Sequence, residues 1–216
     1  MMAGEMVRGW QWRVTGDYES GSALAAEWLV STLRAKPDLI LCAATGQSPS
    51  RAYDLFTRLL LAQRELPNQL RVVKLDEWGG LPMDNPATCE FYLQEKLVRP
   101  LRLNADRFIG FQSDPPSPLE ECRRVEAWLQ ANGPIDVCVL GLGINGHLGF
   151  NEPGESLAAG CHVAHLTEET LSHSMLSVTN QHPSHGLTLG MRDILASRSI
   201  LLLVFGAAKA AQLNRL

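Results

Sequence analysis

The chain has 216 residues, of which 45% are hydrophobic and 19% are charged, values ordinary for one packed globular domain. Its net charge of −4 gives no electrostatic reason to expect nucleic acid or an anionic membrane as a partner. Five scattered cysteines without a C-x-x-C pair, the lack of an apolar leader and the lack of a membrane-length apolar run predict a cytoplasmic protein without a disulfide framework.

Strand-like and helix-like segments alternate along the chain. Apolar periodicity predicts strands at residues 10–14, 39–44, 70–75, 108–111, 135–140 and 200–205, and helices at 20–36, 52–64, 88–101, 119–131, 168–176 and 191–196. The runs 39–44 and 135–140 lack polar alternation, which is typical of strands buried on both faces of a parallel sheet. The sequence therefore predicts one Rossmann-like α/β domain over 1–216, a three-layer fold with helices on both faces of a mostly parallel sheet.

The glycine-rich segment 141–154 follows the strand predicted at 135–140. Glycine permits positive φ angles and lets a ligand approach the backbone closely. His147 and Glu152 form a candidate acid–base pair in this segment, at the end of a strand where open α/β sheets usually bind ligands. The alternative is that His147 only satisfies carbonyl groups of its own loop.

The same segment also matches a dinucleotide-binding pattern. Gly141, Gly143 and Gly146 fit G-x-G-x-x-G, but that pattern requires a long helix after its third glycine. Gly149 and Pro153 follow too closely for such a helix, so no nicotinamide cofactor is expected. No metal is expected either, because no H-x-x-x-H pair with a nearby acid is present.

Two other strand ends carry groups suited to binding an anion. The turn 45–48 stands directly before a predicted helix, whose N-terminus offers N–H groups and a positive potential to a phosphate. Ser48 fits an ordinary helix cap equally well. Lys209 follows the strand predicted at 200–205 and could reach a phosphate oxygen, although a solvated surface lysine is the commoner case.

Asp76 and Glu77 follow the strand predicted at 70–75. Neighbouring side chains on a strand point to opposite faces, so only one of the two carboxylates can readily reach a given crevice. A carboxylate in that crevice is a candidate general base. The alternative is a pair of solvated acids at a turn.

Taken together, these motifs resemble the glucosamine-6-phosphate deaminase family, which shares its fold with the 6-phosphogluconolactonases, and within it the galactosamine-6-phosphate isomerase/deaminase branch. They occur in the order typical of the family and span nearly the whole chain. The segments that carry the resemblance are 44–49 (ATGQSP), 74–78 (KLDEW), 141–154 (GLGINGHLGFNEPG), 187–190 (LTLG) and 206–209 (GAAK). Asn145 and the segments 74–78 and 153–157 resemble the galactosamine branch.

The resemblance implies a cofactor-free enzyme that opens the ring of an amino-sugar 6-phosphate, moves a proton from C2 to C1 and releases ammonia. In the galactosamine branch the product is tagatose 6-phosphate. By this resemblance Asp76 carries the proton, His147 assists ring opening, and Glu152 orients His147. The other implied site residues are the catalytic Asn145 and the substrate-binding Thr45, Gly46, Gln47, Ser48, Gly143 and Lys209. The expected partner is a small sugar phosphate, and neither nucleic acid nor a membrane is expected. The sequence does not decide whether the protein forms a homo-oligomer.

Three features depart from the family pattern. Asn145 stands where glucosamine-6-phosphate deaminases generally carry aspartate, and an amide can orient an imidazolium but cannot stabilise it by charge. The segment 174–177 lacks the phosphate-binding arginine of these deaminases, for which Arg192 is the conceivable substitute. The sequence stops at Leu216, where the family usually continues through another strand, so either that segment lies outside this sequence or the protein is short. A truncated sheet edge would lower stability and activity.

Two other functions are weighed against this one. A 6-phosphogluconolactonase would share the fold, but its segment equivalent to 150–153 resembles Ser-Leu-Phe-Pro instead of Phe-Asn-Glu-Pro. A non-catalytic sugar-phosphate sensor would bind substrate without turnover. Such sensors usually carry a DNA-binding helix-turn-helix, for which the sequence has no room before its first strand.

Overall fold

A computed structural model describes residues 6–7, 10–64, 67–154 and 156–215. Glu155 and Leu216, which belong to the sequence expectations above, lie outside this description. The first described elements are the short antiparallel strands β1 (Met6–Val7) and β2 (Trp10–Gln11). The strand predicted at 10–14 is therefore wrong beyond Gln11, and Val14 is 94% exposed.

The central sheet has five parallel strands in the order β10-β7-β3-β4-β6. These strands are β3 (Ile40–Ala43), β4 (Arg71–Lys74), β6 (Phe108–Ile109), β7 (Val137–Gly141) and β10 (Ser199–Leu203). Every residue of β3 is buried, as the unbroken apolar run predicts for a central strand. The mostly parallel sheet is confirmed, with the predicted strand bounds shifted by one or two residues.

Helices cover both faces of this sheet. They are α1 (Tyr18–Ala35), α2 (Gln47–Ala62), α3 (Cys89–Leu93), α4 (Pro118–Asn132), α5 (Glu168–Leu171), α6 (Met191–Leu195) and α7 (Ala210–Leu213). A π-helical turn continues α3 over Gln94–Val98, and 3-10 turns occupy Ala105–Arg107, Ser174–Val178 and Ala207–Lys209. No helix among the described residues is long and apolar enough to cross a membrane.

The alternation of side chains along β3 separates two hydrophobic cores. Leu41 and Ala43 point into a core shared with α1 and α2. Ile40 and Cys42 point into the other core, which they share with α4. This period of two is the geometry of a strand, and burial on both sides gives the three-layer arrangement that the sequence predicts.

A second sheet, which the sequence did not predict, stands beyond the end of β4. It consists of β5 (Asp76–Gly79), β9 (His185–Thr188) and β8 (His162–Ala164), all antiparallel, in the order β5-β9-β8. Its own small core includes Trp78, Phe150 and Leu176. Because β5 follows β4 after a single residue, this second sheet fixes the direction in which Asp76 leaves the central sheet.

The strand ends singled out in the sequence meet at one edge of the central sheet. Ala43 is in register with both Lys74 and Val139, and Leu203 is in register with Gly141. All these strands run in the same direction, so the segments that follow them emerge side by side. This edge is where open α/β sheets place their ligands.

Candidate functional site

Asp76 is a buried carboxylate with an unsatisfied oxygen. The residue is 7% exposed, and its Oδ1 has no hydrogen-bond partner among the described residues. Burial and the neighbouring Glu77 charge raise the pKa of Asp76 to about 7, with Lys74 and Cys89 opposing the increase. A carboxyl group that titrates near neutrality and has a free oxygen has the properties of a general base.

Glu77 has a different role, because its carboxylate is fully engaged by protein donors. The Lys74 ammonium lies 2.6 Å from its Oε2. The backbone N–H groups of Trp78, Cys89 and Glu90 each donate to it at 2.8 Å. Glu77 and Lys74 are both completely buried. The alternative of two solvated acids is therefore wrong, and Glu77 anchors the start of α3 to β5.

His147 and Glu152 are joined through the hydroxyl group of Thr170. Thr170 Oγ1 lies 3.2 Å from His147 Nδ1 and donates to Glu152 Oε1. The direct distance from Nδ1 to Glu152 Oε2 is 3.6 Å, which is longer than a hydrogen bond. The three residues form a His–Thr–Glu chain, in which Thr170 was not predicted from the sequence.

The hydrogen bonds of this chain determine the tautomer of His147. A carboxylate only accepts, so the Thr170 proton points to Glu152 and its oxygen accepts from Nδ1–H. Nε2 of the neutral ring is then a free acceptor. Burial lowers the pKa of His147, and Lys209 lowers it further against the opposing charge of Glu152. The neutral ring therefore prevails at neutral pH.

Glu152 stays ionised within this chain. Burial raises the pKa of Glu152, but hydrogen bonds from Thr170 and Asn145 and the His147 charge outweigh it, and the net pKa is lowered. Asn145 Nδ2 donates to Glu152 Oε2 at 2.8 Å, and Asn145 Oδ1 accepts from the His147 backbone N–H at 3.1 Å. Asn145 thus holds the carboxylate and the loop in place and makes no hydrogen bond to the imidazole ring.

Gly143 makes room for the imidazole ring. A Cβ atom at this position would lie 2.6 Å from three ring atoms of His147, so every other residue would displace the ring. The Gly143 N–H already donates to the His147 carbonyl oxygen at 2.9 Å. These contacts give Gly143 a packing role beside His147, and its contact with substrate stays a prediction.

The turn 45–48 presents the N-terminus of α2. Gly46 is the N-cap residue with a φ of +102°, a value that favours glycine, and no side chain caps the helix. Ser48 lies buried within the first turn, so the interpretation of Ser48 as the helix cap is wrong. Among the described residues, the Gln47 and Ser48 N–H groups have no hydrogen-bond partner. The end of α2 is therefore suited to an anion.

The backbone carbonyls and hydroxyl of this turn are held from neighbouring elements. Tyr92 donates to the Gly46 carbonyl at 2.9 Å, and Tyr18 donates to the Gln47 carbonyl at 2.5 Å. The Thr45 hydroxyl donates to Cys89 Sγ at 3.3 Å. The Cys89 side chain also lowers the pKa of Asp76, so it connects the turn 45–48 with that carboxylate.

Lys209 brings a cation to the same edge. Its Nζ donates to the Leu142 carbonyl oxygen, and burial lowers its pKa. In the described part of the chain, no carboxylate forms an ion pair with Lys209. The interpretation of Lys209 as a solvated surface lysine is therefore wrong, because the side chain is half-buried and its charge lowers the pKa of His147.

Other candidate residues lie outside this cluster. Arg192 is paired with Glu126 of α4 and with Asp193, and it is exposed. It therefore does not replace the missing arginine of the 174–177 segment. Within the described ranges, no three His, Cys, Asp or Glu side chains are grouped as a metal site.

The chain is similar in sequence to known sugar-phosphate enzymes. The family described as glucosamine-6-phosphate isomerases/6-phosphogluconolactonase matches residues 19–216. AgaI of Escherichia coli (strain K12), named as a candidate deaminase, is 43% identical over 199 residues, which cover 92% of this chain and 79% of AgaI. Glucosamine-6-phosphate deaminase 1 of Bacillus subtilis (strain 168) is 34% identical over 201 residues, which cover 92% of this chain and 83% of that protein.

Solved structures share the fold. A monomeric glucosamine-6-phosphate deaminase of the NagB superfamily superposes with a TM-score of 0.88 at 33% identity, covering 94% of this chain and 85% of that one. The 6-phosphogluconolactonase of Trypanosoma brucei superposes with a TM-score of 0.74 at 20% identity, covering 94% and 84%, and this likeness concerns the fold alone. The predicted α/β fold of glucosamine-6-phosphate deaminase type is therefore confirmed.

Proposed function

Since the chain belongs to the family of glucosamine-6-phosphate isomerases and 6-phosphogluconolactonases, we propose that it isomerises and deaminates an amino-sugar 6-phosphate. The substrate we propose is galactosamine 6-phosphate, converted to tagatose 6-phosphate and ammonia. The sequence around Asn145 and the segment 153–157 support this choice, because both resemble the galactosamine branch. Glucosamine 6-phosphate is the second candidate, because two of the compared proteins are named as glucosamine-6-phosphate deaminases.

The observation that carries this proposal is the state of Asp76. A buried carboxylate with a free oxygen and a pKa of about 7 can accept a proton from carbon and return it. Moving a proton from C2 to C1 of an open-chain sugar needs one such group, shielded from water that would exchange the proton. Glu77 is saturated with donors, which leaves Asp76 as the base of this pair.

Ring opening is the role we assign to His147. The ring-opening step moves the proton of the C1 hydroxyl group and delivers one to the ring oxygen. The unprotonated Nε2 of a neutral imidazole can accept the proton of the C1 hydroxyl group. The resulting imidazolium can then donate a proton to the ring oxygen. Thr170 and Glu152 hold the ring in this tautomer, and the Glu152 charge stabilises the imidazolium while it exists.

The phosphate of the sugar would lie at the N-terminus of α2. The free N–H groups of Gln47 and Ser48 and the Lys209 ammonium provide the donors and charge that a phosphate needs. The Thr45 hydroxyl group would turn to the phosphate from Cys89 Sγ, which is a weak acceptor. Binding energy obtained there positions the sugar carbons against Asp76 without acting on them directly.

A three-substrate assay tests the proposal. Purified full-length protein, without added cofactor or metal, is given galactosamine 6-phosphate, glucosamine 6-phosphate and 6-phosphogluconolactone in parallel. We expect ammonia and a ketose phosphate from the first substrate at the highest kcat/KM. Hydrolysis of the lactone without ammonia from either amino sugar would identify a lactonase instead. Binding of the sugar phosphates without turnover of any of them would identify a sensor.

A further inference from the structure

We propose that His173 is an additional substrate-binding residue, whose Nε2–H group donates to the phosphate held at the turn 45–48. This inference rests on the proposed function, because it takes that turn as the phosphate site. His173 lies at none of the segments that carry the family resemblance. It falls in a region that the sequence predicts as continuous helix, where an isolated histidine indicates nothing about ligands.

The backbone breaks at His173 and turns its side chain inward. Helix α5 ends at Leu171, and the 3-10 turn Ser174–Val178 begins after His173. His173 caps this turn, with its Nδ1 accepting from the Met175 backbone N–H at 3.2 Å. Since Nδ1 accepts a hydrogen bond, the single proton of the neutral ring is on Nε2.

The donor Nε2 faces the turn at Gly46. A Cβ atom placed on Gly46 would lie 3.5 Å from His173 Nε2 and 3.6 Å from the adjacent ring carbon. The positive φ of Gly46 turns this face of the backbone toward the ring. Among the described residues Nε2 has no acceptor, so a half-buried donor is left directed at the end of α2.

The electrostatics around His173 call for an anion. Burial and the nearby charges of His147 and Lys209 lower the pKa of His173. The ring also lies against Trp78, with ring centroids 6.1 Å apart, so its position is set by packing. His147 and Lys209 thus both act electrostatically on His173, while Glu152, the carboxylate next to His147, is already hydrogen-bonded to Thr170 and Asn145.

A phosphate at the end of α2 would satisfy all these groups together. It would accept from Nε2–H in either protonation state of His173, and its negative charge would favour the imidazolium. This assignment also explains why the segment 174–177 functions without an arginine. The histidine reaches the anion from the position before the 3-10 turn, and Leu176 instead enters the core around Trp78.

The variant His173→Asn separates phosphate binding from capping. Asparagine keeps an oxygen that can cap the 3-10 turn, but it is too short to reach the end of α2. We expect KM for the sugar phosphate to rise about tenfold or more, as for a lost hydrogen bond to a charged group, with a smaller change in kcat. The thermal unfolding midpoint should stay within a few degrees of the wild-type value, and the exposed His182→Asn is the matched control.

Direct binding of inorganic phosphate distinguishes this inference from the proposed function. In the wild-type protein, NMR titration of the His173 ring should show its pKa rising when phosphate is added, because the phosphate charge favours the imidazolium, whereas burial, His147 and Lys209 all lower that pKa. Such a rise in a protein that turns over no amino sugar would support His173 and reject the proposed activity. An unchanged KM in His173→Asn, or a pKa of the His173 ring that does not change when phosphate is added, would overturn the inference even in an active enzyme.

Discussion

Asp76 lies in surroundings that disfavour its charged form, and this should be measurable as lost stability. Its pKa of about 7 lies above the value of 3.8 expected in the unfolded chain. The raised pKa means that folding binds a proton, so the stability contributed by Asp76 is present at low pH and is lost as pH rises through about 7. The ionised carboxylate is therefore retained at a cost, which is typical of functional groups.

We predict that Asp76→Asn is more stable than the wild-type protein at alkaline pH. The gain in free energy of unfolding should be near zero at about pH 4 and level off above about pH 7 at up to about 4 kcal/mol, at about 1.4 kcal/mol per pKa unit. Urea unfolding at several pH values measures this difference, and the exposed Asp84→Asn serves as control. A gain independent of pH, or a loss, would show that Asp76 is not held in its uncharged form by burial.

Asn145 sets the charge next to His147. Its amide lies 2.8 Å from Glu152, so Asn145→Asp would place two carboxylates in contact. The added negative charge should favour the imidazolium and raise the pKa of His147. We therefore predict that the acid limb of kcat/KM moves to higher pH, while KM at the optimum changes little. An unchanged pH profile, as expected for the exposed control Asn68→Asp, would mean that Asn145 does not act through His147.

Site residues that lie within a sequence motif were predictable. Site residues whose roles depend on contacts with residues distant along the chain were not. Asp76, His147 and Glu152 stand at strand ends with glycine nearby, so their chemistry and position both point to a site. Thr170 and His173 lie in a polar segment without such marks. Their roles depend on contacts with Glu152 and Gly46, which are distant along the chain.

At the scale of elements, the buried Lys74–Glu77 pair holds β5 and α3 together. Glu77 accepts from the first N–H groups of α3, and Lys74 also reaches Glu90 at 2.8 Å. Removing one partner of a buried pair leaves an uncompensated charge, which is more costly than the net contribution of the intact pair. Two adjacent acids of the chain thus serve opposite purposes, one for chemistry and one for structure.

We predict that Glu77→Gln lowers the free energy of unfolding by about 3–5 kcal/mol, because the buried Lys74 ammonium loses one of its two carboxylate partners and the first N–H groups of α3 lose a charged acceptor. The exposed Glu95→Gln, which loses a surface ion pair with Arg99, should cost less than about 1 kcal/mol. Chemical denaturation of both variants at pH 7 measures these values. Equal costs for the two variants would contradict the structural role of Glu77.

The elements that the sequence failed to predict are short and depend on distant pairing. Strand β9 contains a glycine and pairs with the preceding strand β8 and with β5, which is far from it along the chain. The helix predicted at 168–176 is wrong because the chain breaks at Ser172 and His173, where hydrophobic periodicity continues through the core residue Leu176. Hydrophobic periodicity indicates which residues are buried, and a continuous α-helix or a shorter helix followed by a 3-10 turn can both produce the same pattern.

At the scale of the whole molecule, the parallel sheet gathers the site from four separate segments. Ala43, Lys74 and Val139 are aligned, so Thr45, Asp76 and the loop carrying His147 leave the sheet together. The fourth segment, which carries Lys209, follows β10 beside that loop. The continuous apolar runs made this convergence predictable. The antiparallel sheet beyond it was not predictable. Asp76 is the first residue of its strand β5, and Phe150, from the loop that carries His147, packs in its core.

The central claim is that one carboxylate, Asp76, carries out the proton transfer that precedes ammonia release. The most direct test compares wild-type protein and Asp76→Asn for ammonia release from galactosamine 6-phosphate and glucosamine 6-phosphate at pH 8. We predict release by the wild-type protein, and a kcat about 10²–10⁴-fold lower in Asp76→Asn with sugar-phosphate binding retained. Release by Asp76→Asn within a few-fold of wild type, or no ammonia from folded wild-type protein with either epimer, would contradict the account.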